Sequence, residues 1–221
     1  MLIDIHTHQA GASSSVFRLY NASSWKQAPL LADTLIHGTN GLSVGVHPWK
    51  VTDWNPQDYD ELLAVLSLPE VLVIGEVGLD KVCETPFDKQ LELFRMQAVM
   101  ASQLAKPVLL HQVRALPELL VVKRDYPTIS AWIIHGFRGG RQEAMQCLSK
   151  GFYLSFGYKL NPEALNVCPI DRMFLETDET GDIERLYAHV ASMFKISEKE
   201  LESALEDNFH RLFPSICFFQ G

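Results

Sequence analysis

Seven runs of aliphatic and β-branched residues punctuate the chain, at 2–8, 42–47, 71–78, 107–111, 129–135, 152–156 and 173–178. Apolar runs of this length read as strands buried on both faces of a parallel sheet. Between them, apolar residues recur at helical spacing over 58–66, 88–105, 116–124, 141–150 and 183–194. In the longest segment Leu91, Phe94, Ala98, Ala101 and Ala105 form one stripe, which predicts the packed side of a helix. A last helix opens on Ser197 and Glu200, a capping-box pair, and runs towards Phe213 until Pro214 stops it. Strand alternates with helix without a linker, repeat or low-complexity tract. This predicts one α/β domain over 1–221, a distorted or incomplete TIM (β/α) barrel of about seven parallel strands. The run 16–21 breaks the order. Only a short polar stretch separates it from the first strand, too little for a crossover of about a dozen residues, so it is expected to be antiparallel, irregular or outside the barrel.

Several of the runs end on residues able to hold a metal: His6 and His8, Glu76, His111, His135 and Asp178. In an α/β barrel the C-terminal strand ends converge on one face. His6 and His8 share a side of their strand, with Asp4 behind them. A carboxylate closing a buried strand, as Glu76 does, costs several kcal/mol unless it is paired or bound to a cation. Asp178 shares parity with Glu176, and two carboxylates on one face repel unless something positive lies beside them. Taken singly, His111 and His135 read as satisfied core histidines. Recurrence of such groups at the same end of successive strands points instead to a two-metal hydrolytic centre.

Composition narrows the function. The 221 residues carry a formal net charge of −8, which disfavours coating nucleic acid through a broad basic surface but leaves room for a nuclease whose metals supply positive charge. With a strand starting at Leu2, no basic leader or long apolar stretch is found; a cytoplasmic protein with no membrane span and no stable protein partner is expected. Cys83, Cys147, Cys168 and Cys217 lack CxxC spacing and read as inert thiols.

Seven blocks resemble the TatD family of metal-dependent hydrolases, within the amidohydrolase-type barrels. They are Asp4-Ile-His6-Thr-His8, Gly45-Val-His47-Pro48, Gly75-Glu76-Val-Gly78-Leu-Asp80, Pro107-Val-Leu-Leu-His111, His135-Gly-Phe137, Gly151-Phe-Tyr-Leu-Ser155-Phe and Leu175-Glu176-Thr-Asp178. They come in the family's order and span almost the whole chain. The resemblance implies His6, His8 and Asp178 on one metal, His111 and His135 on the other, and Glu76 bridging both. It implies a deoxyribonuclease acting on DNA through two divalent ions, zinc, manganese or magnesium. Imidazole-rich ligation suits zinc, manganese or nickel better than magnesium.

On this reading Glu76 and Asp178 are catalytic as well as ligating, Asp178 orienting a water and accepting its proton. His47 is expected to contact a substrate oxygen, or else to be a structural histidine at the barrel mouth. Asp80 and Glu176 are expected to fix histidine tautomers. Where the family's Gly-x-His-Pro block continues with histidine, this chain has Trp49, a face on which a base could stack or a cover for the rim. The arginine usual two positions after His111 is replaced by Val113, with Arg114 next. The basic loop after Asp178 is replaced by Glu179-Thr-Gly-Asp182-Ile-Glu184, which leaves Arg138 and Arg141 as candidate phosphate contacts. Two alternatives stand: a small-molecule amide, lactone or phosphoester hydrolase, and a metal-bearing binding protein without turnover.

Overall fold

The computed structural model describes residues 1–9, 11, 13–35 and 39–216; His37 and Cys217 lie outside them. The strands are β1 (Leu2–Thr7), β2 (Val16–Asn21), β3 (Asn40–Val44), β4 (Val71–Asp80), β5 (Val108–Val113), β6 (Trp132–Ile134), β7 (Tyr153–Phe156) and β8 (Met173–Leu175). The α-helices are α1 (Ala28–Ala32), α2 (Tyr59–Leu66), α3 (Phe87–Leu104), α4 (Leu116–Asp125), α5 (Arg141–Ser149), α6 (Pro162–Leu165), α7 (Ile183–Phe194) and α8 (Glu198–Leu212). The strands belong to one eight-stranded sheet whose order follows the chain. This is an α/β fold of the TIM-barrel type, with eight parallel strands where the sequence pattern predicts seven.

The added strand is β2, and its direction corrects the expectation for 16–21. It pairs parallel with β1, Leu2 opposite Val16 and Asp4 opposite Arg18. The dozen-residue minimum describes a crossover that contains a helix. Eight residues, 8–15, separate β1 from β2, and eight extended residues reach about 26 Å. A six-residue strand is only about 20 Å long, so a bare loop suffices. Among the described residues of this connection none is helical, and α8 supplies cover: Phe209 packs on Phe17 with ring centroids 4.6 Å apart.

By packing, the chain forms two compact units. The first comprises Met1–Tyr20, Leu35–Gly41 and His135–Gly221, the second Asn21–Thr34 and Leu42–Ile134. In the first, α7 buries Ile183, Leu186, Tyr187, Val190 and Ala191, a 3.6-residue stripe, and Asp182 caps it by accepting from the N–H groups of Glu184 and Arg185. The Tyr187 hydroxyl clamps β1, accepting from Ile3 N–H at 3.0 Å and donating to Ile3 O at 3.1 Å. The capping box expected at Ser197 and Glu200 opens α8. In the second unit β4 is buried along almost its whole length, as a central parallel strand must be. On α3 the stripe differs from expectation at its ends. Leu91 is half-buried and Ala105 exposed, because Ala105 is the left-handed residue that ends the helix, while Gln90 and Gln97 are buried.

Candidate active site

In the second unit, glycines let β4 and β5 approach closely enough to bring their polar ends together. A Cβ on Gly75 would lie 2.6 Å from Leu109 Cβ, and one on Gly78 2.1 Å from the carbonyl oxygen of His111. Glu76 between them is buried, its Oε1 2.8 Å from His111 Nδ1 and 3.1 Å from His47 Nε2. Asp80 at the end of β4 holds the other side of His111, Oδ2 to Nε2, at 3.0 Å. Trp49 closes the ring of contacts: its backbone N–H donates to His47 Nδ1 at 3.1 Å and its indole N–H to Asp80 Oδ2 at 2.8 Å. Burial opposes the charge on Asp80, yet hydrogen bonds from Trp49, Val82 and His111 hold its carboxyl below the usual range.

These partners assign the tautomers. His47 accepts at Nδ1, so its proton lies on Nε2 and is donated to Glu76. Asp80 keeps a proton on His111 Nε2, so that Nδ1 faces the Glu76 carboxylate. Two electron-rich atoms at 2.8 Å call for a cation, either a proton or a metal ion. His47, Glu76 and His111 form one of the groups whose donor atoms lie within 4.8 Å of one another.

The clamps behind this cluster escape sequence reasoning. Gln97 of α3 accepts from Val46 N–H at 2.7 Å and donates to Val46 O at 3.1 Å, one residue before His47. Gln90, two helical turns earlier, does the same to Asp80, at 2.8 and 2.9 Å. Each amide completes a strand end as a neighbouring peptide would. The signal available was a pair of glutamines seven apart inside an apolar stripe. Gln97→Leu keeps the volume but strands both Val46 groups, and is expected to destabilise the fold by roughly 2–4 kcal/mol. Urea unfolding measures this, and an unchanged midpoint rejects the clamp.

In the first unit Asp178 sits just past β8 with φ +57°, a left-handed conformation that aspartate tolerates better than most residues. Its backbone is bracketed by β1: Asp178 N–H donates to His6 O at 3.0 Å, and His8 N–H to Asp178 O at 2.8 Å. The carboxylate thereby reaches both histidines, Oδ1 lying 3.5 Å from His6 Nε2 and 4.0 Å from His8 Nε2. The His135 ring lies 4.5 Å from that of His6. Glu176 Oε1 accepts from Gly136 N–H at 2.7 Å and lies 3.3 Å from His135 Nδ1, which orients that imidazole to offer Nε2. His6, His8 and Asp178 form a second group of close donors, and His135, Glu176 and Asp178 a third. Imidazole and carboxylate in threes is a donor set that fits a divalent transition ion.

Burial raises Asp4 to about 7 against the two hydrogen bonds it receives from Thr177. A polar cavity of about 220 Å³ opens beside it, lined by Thr7, Ser13, Arg18 and Thr177 among others. Arg138 and Arg141 are exposed, after β6 and at the start of α5. His189 is exposed on α7 and His210 half-buried on α8. Cys147 and Cys168 are buried, and burial pushes both thiols up to about 12, which makes them inert at neutral pH.

Histidines and carboxylates gathered at the C-terminal ends of parallel strands, on a fold of the TIM-barrel type, define a metal-site α/β protein. A family model described as TatD related DNase matches residues 4–214, and the chain belongs to that family as a TatD-type metal-dependent hydrolase. It is 33% identical over 181 residues to the 3′-5′ ssDNA/RNA exonuclease TatD of Erwinia billingiae, covering 76% of this chain and 68% of that protein. It is 27% identical over 194 residues to the uncharacterized metal-dependent hydrolase YabD of Bacillus subtilis, covering 77% and 76%. Among solved structures, the TatD homolog YjjV of Escherichia coli superposes with a TM-score of 0.83 at 21% identity over 96% of this chain and 97% of that one. Among the described residues no helix is long and apolar enough to cross a membrane.

Proposed function

We propose that residues 1–221 form one hydrolase domain that cleaves phosphodiester bonds of single-stranded nucleic acid, DNA first, in the cytoplasm. The six ligands are those the family resemblance assigns, His6, His8, Glu76, His111, His135 and Asp178, holding two divalent ions of the zinc, manganese or magnesium class. Bound there, the ions would lower the pKa of a water and polarise the phosphoryl oxygens. The chain's own residues do the rest. Asp178 accepts the proton of the attacking water, and His47, whose Nε2–H is shared with Glu76, lies where it would contact a substrate oxygen. Asp80 and Glu176 hold His111 and His135 in their ligating tautomers. Arg138 and Arg141 contact phosphates further along the strand.

The observation that carries this reading is the commitment of His111 Nε2 to Asp80, which turns Nδ1 towards Glu76. The names of the exonuclease relatives support nucleic acid as the substrate. The net charge of −8 and the acidic loop after Asp178 favour a second reading, a small-molecule ester or amide hydrolase.

Protein stripped of metal and reloaded separately with zinc, manganese and magnesium decides between them. It is offered labelled single-stranded DNA, single-stranded RNA, duplex DNA and a chromogenic phosphodiester. Metal-dependent shortening of the single strands is expected, with Arg138→Ala and Arg141→Ala raising KM for DNA more than for the small ester. Turnover of the small ester alone moves the assignment to the second reading.

A further inference from the structure

Trp49 is 55% exposed, an unusual position for the largest apolar side chain, yet its ring is held on three sides. Its indole N–H is fixed by Asp80 at 2.8 Å. Its ring meets those of His47 and His111 edge to face, at 4.8 and 5.5 Å between centroids. A cover for the rim would be buried; this side chain is anchored at its indole N–H and still leaves 55% of its surface in solvent. Val82, 61% exposed, adds apolar surface nearby, its N–H donating to the other oxygen of Asp80.

We infer that Trp49 is a stacking platform for the base of the nucleotide beside the scissile phosphodiester, an inference that rests on the nuclease reading above. The neighbouring His47, Glu76 and His111 suit a cation and a phosphoryl oxygen. A ligand that carries a phosphoester and a flat aromatic face together is a nucleotide. A ring pinned before binding loses little conformational freedom when a base stacks on it. The stack also suits this chain: a net charge of −8 disfavours gripping the backbone through a broad basic surface, so contacts to the bases add affinity that the few phosphate contacts do not supply. Stacking tolerates any base, so cleavage should show little sequence preference.

The test compares two single-stranded trinucleotides alike except that one carries an abasic unit beside the scissile bond, with a small chromogenic phosphodiester as reference. Metal-loaded wild-type protein should favour the base-bearing strand by about tenfold or more in kcat/KM. Trp49→Phe keeps an aromatic face but loses the bond to Asp80: hydrolysis of all three substrates should fall while most of the base preference survives. Trp49→Leu should abolish the preference. A second readout needs no turnover. Uncleavable methylphosphonate strands should quench tryptophan emission when base-bearing and not when abasic, and the difference should vanish in Trp49→Phe, which removes one of the four tryptophans. Circular dichroism checks that both variants fold.

Equal rates on base-bearing and abasic strands in the wild type, or an unchanged preference in Trp49→Leu, overturn the inference and leave the phosphodiesterase reading intact. If wild-type protein cleaves no phosphodiester, the nuclease reading fails and the quench decides alone: equal quenching by both strands rejects the platform.

Discussion

Asp178→Asn should lower phosphodiester hydrolysis by about 10³-fold, in the range for losing a positioned general base, with a further loss if metal is no longer held. The substitution suits the geometry. Asparagine, like aspartate, tolerates the left-handed conformation recorded at φ +57°, so the backbone bonds to His6 and His8 can persist. What changes is the charge 3.5 Å from His6 Nε2 and 4.0 Å from His8 Nε2. An amide oxygen is a poorer ligand for a divalent transition ion and does not accept the proton of water. Two measurements separate these losses: metal content per chain, and turnover at saturating metal. Full metal content with lost turnover isolates the proton-accepting role; reduced content confirms ligation. Wild-type turnover with wild-type metal content would remove Asp178 from the site. Asp178→Ala is the less informative variant, because alanine adds left-handed strain of about 1–2 kcal/mol to the chemical loss.

The ligand candidates were legible because their signal is local. A His-x-His pair and polar residues closing apolar runs are visible wherever each run ends, and each group of three donors draws on residues so flagged. Helix α7 was legible for the same reason: the amphipathic pattern read over 183–194 is the range the helix occupies, Ile183–Phe194. What stayed hidden depends on partners distant in sequence. Gln97 meets Val46 across 51 positions and Trp49 meets Asp80 across 31, and no spacing rule connects them. The direction of β2 was misread through a rule drawn from helical crossovers, although loop length alone permits either course. The strand expected over 129–135 shrinks to Trp132–Ile134 because apolar content marks burial, whereas ladder pairing marks a strand. His135 therefore stands outside β6, beside Gly136 at φ +53°.

Gly78→Ala should be the most damaging single-methyl change among the glycines of the Gly-Glu-x-Gly block and its neighbours. An added Cβ would sit 2.1 Å from the carbonyl oxygen of His111 and 3.1 Å from its carbonyl carbon. These are backbone atoms of the paired strand, where Gly78 stands opposite His111 in the β4–β5 register, so no rotamer change relieves the clash. The φ of +138° adds strain of its own, in a region that only glycine occupies readily. Overpacking and backbone strain each cost roughly 1–3 kcal/mol, so a loss of about 3–5 kcal/mol is expected. Two controls apportion it. Gly151→Ala shares a positive φ, +75°, but meets nothing within 4 Å, and Gly140→Ala meets nothing within 4 Å without a positive φ. Their urea midpoints should fall in the order Gly140→Ala, Gly151→Ala, Gly78→Ala, from least to most destabilised. If Gly78→Ala matches Gly151→Ala, the close strand approach has no energetic weight. If the order holds, the variant should also lose metal at the second-unit cluster, because the same approach that forbids a methyl group brings His111 Nδ1 within 2.8 Å of Glu76.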